Sequence, residues 1–545
     1  DPQQRLFLEQ AWKALEDAGY GAEAVRSQKI GMFVGVEQGD YHSLTNWQGG
    51  ITSNNNAVLA SRLGYFLNLN GPVMAIDTAC SSGLVAAHQA ILSLRGGECD
   101  AAVAAGVNLF LTPGPFIKMA QSGMLSRDGK CYTFDKRANG LAPGEAVAVV
   151  LLKRLSMAES DGDPIYAVIK GSGINYDGKT NGITAPSGSS QMKLLKAVYD
   201  QYSVNPEDIE YIVTHGTGTK LGDPVEINAL YGVFKEYTKR QGYCALTSTK
   251  TNFGHSMAAS GLVSLISLVQ SLRHETIPAS LHCEEENDYI NWRQSPFYIN
   301  KTNRPWPFRE GKARIGAVSA FGLSGTNTHM VVQSYFDKAG MASRRGLQAH
   351  FPYYLLALSA KTEEILAEKI KDMIALLQNG EEDLTQLSYT LLEGRQHFIY
   401  RCAVVFQDRE DAVYVLEQAG GREKLPNLFQ GKVPRDFTGS KAIEQYGQDL
   451  LNQSLSLSTN KSKYQESLYA LADLYCQGYE LPWHRLYGDP KPQRINLTTY
   501  PFARQTYWVS KTDAADSADS EVLACIHPLL QRNTSTLSEQ RFSTI

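Results

Sequence analysis

The chain has 545 residues, 43% of them hydrophobic and 20% charged, with a formal net charge of −4. That length exceeds one ordinary hydrophobic core, so two or more domains are expected, and a near-neutral charge without a concentrated basic stripe argues against nucleic acid as a partner. No apolar run reaches the roughly 18 residues of a membrane span, and the eight scattered cysteines form neither a CxxC pair nor a disulfide framework, which suits a reducing cytoplasm.

The opening DPQQRLFLEQAWKALEDAGY reads as an amphipathic helix rather than a signal peptide, and without an initiator Met it reads as a piece excised from something longer. From there to about Gln333, short apolar runs alternate with helical patterns. IGMFVGV, PVMAID, AAVAAGVNLFL, AVAVVLL, IYAVIKGSG, IEYIVTH and ARIGAVSAFG are the predicted strands, many of them apolar on both faces. Buried strands alternating with helices imply a layered α/β domain. A weak internal echo runs through it. IGMFVGV followed by AIDTACSSGLVAAHQAIL resembles IEYIVTH followed by LTSTKTNFGHSMAASGLVSLISLV, which suggests two related halves facing each other. After about Tyr335 the character changes. LLALSAKTEEILAEKIKDMIALLQ reads as a strand and a helix, FIYRCAVVF as a strand, and LADLYCQGYELPWHRLYG as a helix running into an aromatic turn. KTDAADSADSE, residues 511–521, has linker composition, and something new begins at HPLLQRNTS.

Cys80 stands where the strand PVMAIDT meets the helix SSGLVAAHQAILSL, whose Leu84, Ala87, Ile91 and Leu94 repeat at helical spacing. Ser81, Ser82 and Gly83 are small enough to let another chain or a substrate approach. A helix N-terminus favours a thiolate, and its free amides can hold an oxyanion. Free cysteines are also often buried and inert, so this pattern alone leaves nucleophile and buried thiol equally open. His88, two turns further on, reads as a core or interface residue. His215 ends IEYIVTH and opens HGTGTKLGDPVE; His255 lies in TSTKTNFGHSMAASG. Both are presented at strand ends, where α/β folds build sites, and facing halves would let them converge on Cys80. Lys250, five residues before His255, is either a solvated lysine or, near a carboxylate such as Glu226, a holder of charge balance. SAFGLSGTNTH, residues 319–329, is either a tight turn or a turn aiming an amide at a carbonyl oxygen. GINYDGKT, residues 173–180, satisfies the P-loop pattern, but helical periodicity resumes only near Gln191 and not at the Lys-Thr, so nucleotide binding is set aside.

Together DTACSSGL, HGTGTKLGDPVE, KTNFGH and FGLSGTN, in that order and spacing, closely resemble the β-ketoacyl synthase (ketosynthase) domain of modular polyketide synthases. The resemblance implies a thiolase-like fold of two similar halves in five α-β-α-β-α layers, followed by a small α/β flanking subdomain. It implies Cys80 as the acyl-accepting nucleophile. His215 and His255 would bind the malonyl thioester, drive decarboxylation and stabilise the enolate. The backbone N–H groups of Cys80 and Leu323 would form the oxyanion hole, Thr217 and Thr219 would meet a pantetheine arm, and Lys250, with Glu226, would support the histidines. No metal and no permanently bound cofactor is expected; the phosphopantetheine arm of an acyl carrier protein brings the substrate. YELPWHRLYGDPKPQRINLTTYPFARQTYWV resembles the family's flanking region and post-ketosynthase linker, and HPLLQRNTSTLSEQRFS the opening of a dehydratase domain. No acyltransferase lies between, as in the trans-acyltransferase class, where a separate enzyme loads malonyl units. The implied boundaries are 1–335 ketosynthase, 336–490 flanking subdomain, 491–510 a tail packing back on the ketosynthase, 511–524 linker and 525–545 truncated dehydratase.

The family usually has a further N-terminal strand segment ahead of DPQQRLFLEQAW, and GLAPGEAVAV is looser than the usual Gly-rich form, which reads as a packing variation. The leading expectation is decarboxylative condensation that lengthens a polyketide by two carbons. A non-elongating ketosynthase that only passes the chain on, and a docking scaffold for carrier proteins, are the alternatives; the presence of His215 favours elongation. The resemblance also implies a homodimer and an acyl pocket bordered by NWQGGITSNNN and NLFLTPGPF, while the cysteine usage points to a cytoplasmic location.

Overall fold

The computed structural model describes residues 1–45, 52–309, 311–336, 351–421 and 425–508, together with short paired strands at 532–533 and 542–543. The expected linker at 511–524 lies outside the described residues, as does most of the dehydratase-like segment. Helix Pro2–Asp17 opens the chain, capped by the Asp1 carboxylate, which accepts from Gln3 N at 2.9 Å. It buries Phe7, Ala11 and Leu15.

The first sheet is built from β1 (Ile30–Val36), β2 (Val73–Ile76), β3 (Ala101–Asn108) and β4 (Ala146–Lys153), in the order β2-β1-β3-β4. The second half contributes β5 (Ala167–Tyr176), β6 (Ile209–Val213), β7 (Cys244–Thr247), β8 (Thr276–Ile277), β9 (Phe297–Ile299), β10 (Arg304–Pro305), β11 (Ile315–Phe321) and β12 (Thr326–Ser334). Its main sheet runs β5-β12-β11-β6-β7-β9, with β10 and β8 forming a separate ribbon. The order β2-β1-β3-β4 returns as β7-β6-β11-β12. In each case the first three strands are parallel and the last pair antiparallel. The echo in the sequence is therefore a duplication of topology.

Side-chain alternation fixes the layers. On β1, Ile30, Met32, Val34 and Val36 pack outward with Phe7, Leu59 and Leu63, while Phe33 packs inward with Leu84 and Leu262. On β6, Tyr211 and Val213 join that same inner cluster, whereas Ile212 packs outward with Leu194 and Leu230. Helices Ser82–Gly96 and Ser260–Arg273 fill the space between the sheets. Helices Pro2–Asp17 and Asn56–Leu67 cover one outer face, and Gly188–Gln201 and Gly222–Tyr237 the other. This is the five-layer thiolase-like arrangement. His88 is buried in the middle layer, its Nδ1 2.9 Å from Ser172 Oγ on β5, the core role expected of it.

Two local expectations are revised. AAVAAGVNLFL does not continue as a strand: β3 ends at Asn108, because the amides that follow bond to side chains instead of a neighbouring strand. The Gly-rich turn of residues 319–329 is the tip of a hairpin whose second arm, β12, is a full strand paired on both sides. Helix Gly188–Gln201 starts well beyond Lys179, so residues 173–180 lack the helix a phosphate loop needs.

Beyond residue 350, β13 (Tyr354–Ala360), β14 (Tyr400–Phe406) and β15 (Leu428–Lys432) form an antiparallel sheet with its own hydrophobic cluster, packed by helices including Glu363–Asn379 and Lys461–Gln477. The tail then returns across the first half. Asn496 Nδ2 donates to Asp17 O at 3.0 Å, Arg494 pairs with Asp163 at 2.7 Å, and Tyr500 N donates to Glu16 Oε2 at 2.6 Å. Arg395 Nη1 donates to Glu16 O at 2.6 Å, and buried Lys369, its pKa pushed down to about 8 by burial, lies over the Tyr500 ring.

Candidate active site

Cys80 occupies the sharp corner between β2 and helix Ser82–Gly96. Ala79, just before it, takes a left-handed φ of +55°, a conformation that costs a non-glycine residue of order 1 kcal/mol. The corner is held by its own hydroxyls. Thr78 N donates to Ser82 Oγ at 2.8 Å, Ser82 Oγ to Ala79 O at 2.6 Å, and Ser81 Oγ to Thr78 O at 2.9 Å. The small residues after Cys80 do not admit a substrate: Ser81 and Ser82 are fully buried, and a Cβ on Gly83 would stand 2.8 Å from Ala258 O. What approaches there is the second half of the chain itself, and Ser260 Oγ donates to Cys80 O at 3.2 Å.

The β11–β12 hairpin tip docks on the other side. Gly322 allows it, since a Cβ there would lie 2.3 Å from Thr78 O. This brings Leu323 N–H to the Cys80 thiol, where it and the Cys80 N–H both favour the ionised sulfur. Burial nevertheless dominates and pushes the thiol up to about 11, with the Glu37 carboxylate acting the same way and Lys250 opposing. The sequence pattern leaves a thiolate favoured by the helix N-terminus and a buried thiol equally open. The structure gives a resting thiol, because the apolar surroundings outweigh the amides. Those surroundings include Cys131, Leu141, Met257, Phe110 and Met124.

His215 follows the end of β6. Its backbone N donates to Glu226 Oε1 at 2.7 Å, and Gly216 N to Glu226 Oε2 at 2.8 Å, so the carboxylate clamps the loop from helix Gly222–Tyr237. His255 lies beyond β7; its N donates to Ala142 O at 2.6 Å, and Gly144 N donates back to His255 O at 2.9 Å. The two rings stand edge to face with centroids 5.6 Å apart, and Phe321 packs on His215 at 5.7 Å. Met257 N donates to His255 Nδ1 at 3.2 Å, so the neutral ring carries its proton on Nε2. His215 Nδ1 is buried without a hydrogen-bond partner among the described residues. Burial, then the Lys250 charge, holds both histidines well below the ordinary range, so both rings are neutral near pH 7.

Buried Lys250 is the electrostatic hub. Its field acts on Cys80, His215, His255 and Glu226. Burial lowers its own pKa, while burial raises Glu226 to about 7. Thr217 and Thr219 are partly accessible, their hydroxyls 3.0 Å apart. Cys80, Leu323, His215, His255, Glu226 and Lys250 are thus tied into one region drawn from both halves, with Thr217 and Thr219 on the His215 loop, whereas His88 stays in the core. The arrangement offers two amide donors at the thiol and a pair of neutral imidazoles. Among the described residues no group of three or more His, Cys, Asp or Glu converges as a metal site.

Three contributors had no signal strong enough to single them out. Glu37, raised to about 7 by burial and by Asp77, follows an unremarkable strand. Asp223 lies in the HGTGTKLGDPVE stretch; it accepts from Gly218 N and Phe134 N at 3.1 and 2.9 Å and shapes the loop. Phe321 is hidden as one more strand residue. Of the expected acyl-pocket border, residues 46–51 lie outside the described residues, whereas Phe110, Leu111, Thr112, Pro113 and Phe116 line a groove of about 410 Å³.

Residues 1–158 match the family described as Beta-ketoacyl synthase, N-terminal domain, residues 166–284 its C-terminal domain, and residues 354–416 CurL-like, PKS C-terminal. The chain is 41% identical over 513 residues to Polyketide synthase PksM of Bacillus subtilis, covering 94% of this chain and 12% of that protein. It is 43% identical over 517 residues to Polyketide synthase ThaG of Burkholderia thailandensis, covering 93% and 9%. The chain thus spans about a tenth of the length of these curated relatives. Among solved structures it is similar to the ketosynthase from module 6 of the bacillaene synthase of Bacillus subtilis 168, with a TM-score of 0.84, 38% identity, and 94% and 86% of the two chains covered.

Proposed function

The chain belongs to the β-ketoacyl synthase family, as a ketosynthase of the polyketide synthases, a class of acyl-transferring, condensing enzymes, and from that premise we propose that it extends a carrier-bound polyketide by decarboxylative Claisen condensation. The observation that carries the reading is the meeting of Cys80, two amides and two neutral histidines around one buried lysine.

In the first step the Cys80 sulfur attacks the carbonyl carbon of an acyl-pantetheine thioester. The amides of Cys80 and Leu323 hold the oxyanion, the bond to the pantetheine sulfur breaks, and the thiol proton ends on the departing thiol. Because the resting thiol is protonated, stabilisation is concentrated on the charge that develops during attack. In the second step a malonyl thioester enters, and its carboxylate leaves as carbon dioxide. The electron pair of that C–C bond becomes an enolate, whose oxygen is met by His255 Nε2–H and by His215. Neutral rings suit this role, since they donate a hydrogen bond without forming an ion pair with the substrate carboxylate. The α-carbon then attacks the Cys80 thioester, the C–S bond breaks, and the departing sulfur takes a proton from water, so each condensation consumes one proton. Thr217 and Thr219 hold the pantetheine arm. Lys250 and Glu226 fix the loop charge around the histidines.

Under this reading the partners are an upstream carrier protein bringing the acyl chain, a downstream carrier bearing malonyl, and a separate acyltransferase that loads the latter. The chain divides at the boundaries 1–335, 336–490, 491–510, 511–524 and 525–545, the last being the start of a dehydratase. A cytoplasmic setting fits, and no helix among the described residues is long and apolar enough to cross a membrane. A homodimer through edge strand β2 is supported by its accessible Val73 and Met74, 37% and 45% exposed, beside Tyr65 and Phe66 at 91% and 61%.

The test is sequential. An acyl-pantetheine thioester is offered first and malonyl-carrier protein second, with Cys80 followed by intact mass. Acylation followed by a β-ketoacyl product is expected. Acylation with no condensation product would leave a chain-transferring ketosynthase, and no acylation at Cys80 would leave only a docking scaffold.

A further inference from the structure

The loop after β3, residues 109–112, carries Phe110 and Leu111 into the groove they line with Thr112, Pro113 and Phe116, and its backbone amides are held by side chains from elsewhere. Leu109 N donates to Gln3 Oε1 at 3.0 Å and Phe110 N to Glu145 Oε1 at 2.7 Å. Asp40 takes the next two amides, Leu111 N at 3.1 Å and Thr112 N at 2.8 Å, and also the Thr112 hydroxyl at 2.6 Å. Four consecutive amides thus depend on three side chains, and Asp40 supplies three of the five hydrogen bonds. Phe110 packs on Phe116 at 5.2 Å and joins the apolar cluster that includes Cys80. The shape of this groove wall, which packs against the same apolar cluster as Cys80, is set where Asp40 holds it.

Asp40 is itself anchored from an unexpected direction. Its neighbour Tyr41 is buried, and the ring of Trp508 in the tail meets it edge to face at 5.4 Å. Tyr507, next in the tail, lies under Arg5 at 4.4 Å and accepts Arg5 Nη2 through its carbonyl at 3.3 Å. The tail thus packs on Tyr41, whose chain neighbour Asp40 holds the groove loop.

We propose that Asp40 is a positioning residue that sets which acyl chains Cys80 takes, and that the tail stabilises that setting through Trp508 and Tyr41. The inference rests on Cys80 being the acyl acceptor. An aspartate suits the role because a carboxylate accepts from two amides and a hydroxyl at once, whereas an amide side chain would turn a donor toward one of them. Glu145, from the loosened GLAPGEAVAV motif, does the same for Phe110 N, while its neighbour Gly144 pairs with His255. That motif thus links the acyl wall to the histidine segment.

The test uses the whole chain and compares Asp40→Asn, Trp508→Ala and Trp508→Phe with the unaltered protein. Cys80 acylation by octanoyl- and acetyl-pantetheine is timed by intact mass. The octanoyl-to-acetyl rate ratio is expected to fall about tenfold in Asp40→Asn, with acetyl loading retained, because misplacing a contact wall penalises the substrate that uses it. Trp508→Ala, at a half-exposed site, is expected to lower the ratio less, and Trp508→Phe to restore it. A ratio that does not fall in either Asp40→Asn or Trp508→Ala, or acetyl loading that drops in parallel, overturns the proposal while leaving Cys80 as acceptor. Failure of the unaltered protein to take either chain on Cys80 overturns both readings together.

Discussion

The two halves of the molecule turn the same corner. Residues 79–84, Ala-Cys-Ser-Ser-Gly-Leu, and residues 257–262, Met-Ala-Ala-Ser-Gly-Leu, lead into the two central helices at equivalent places in the duplicated topology. Ala79 has φ +55° and Met257 φ +40°, both left-handed and both non-glycine. Each helix start presses on the other: a Cβ on Gly83 would meet Ala258 O at 2.8 Å, and one on Gly261 would meet Leu84 Cβ at 2.8 Å. Yet Cys80 is partly accessible and its counterpart Ala258 fully buried. The fold supplies a strained corner twice. Only the first corner also receives the Leu323 amide and lies, with the two histidines, in the field of Lys250.

The sharpest way to break the comparison is to move the thiol. Cys80→Ala is expected to abolish acylation, and adding Ala258→Cys should not restore it, because that corner is closed; acyl adducts mapped by peptide mass spectrometry decide this. Next in size is His255→Ala. Condensation should fall about a hundredfold or more, the scale of a lost proton-donor or oxyanion contact, while Cys80 loading falls far less; separate timing of the two steps would expose an equal loss and remove the role assigned to His255. Gly83→Ala and Gly261→Ala should each cost about 1–3 kcal/mol of stability through overpacking, seen as matched shifts in urea midpoint, with only Gly83→Ala also slowing acylation. The smallest effect concerns Glu37. Above its pKa of about 7 it is charged and disfavours the thiolate, so Glu37→Gln should speed Cys80 alkylation by iodoacetamide at pH 8.5. The gain should be about twofold to threefold, a fraction of a pKa unit, and should shrink at pH 6, where Glu37 is mostly protonated.

Much of this was legible in the sequence because it is local. Short apolar runs placed β1, β4 and β6 almost to the residue, and four short motifs marked Cys80, His215, His255 and the hairpin tip. The duplication was visible only as an echo, since it lives in strand order and pairing, which the sequence does not spell out. The state of Cys80 stayed open for a similar reason: a helix N-terminus can be read from spacing, but the apolar enclosure that raises the thiol is assembled from residues 110, 124, 131, 141 and 257. The end of β3 was misread because apolar Leu109 to Leu111 look like strand, whereas Gln3, Asp40 and Glu145 claim their amides. No local pattern announces a side chain that arrives from another segment.

The cluster of Glu16, Lys369, Arg395 and Tyr500 bears on how such chains can be recombined. It draws one member from the first helix, two from the region after residue 350 and one from the tail, and a buried charge left without its partners is strongly destabilising. A crossover anywhere between residues 336 and 500 would pair the Glu16 of one parent with foreign partners. The heritable block is therefore the span through Trp508, and a graft that respects it keeps Trp508 on Tyr41 beside Asp40 and the groove loop that Asp40 holds.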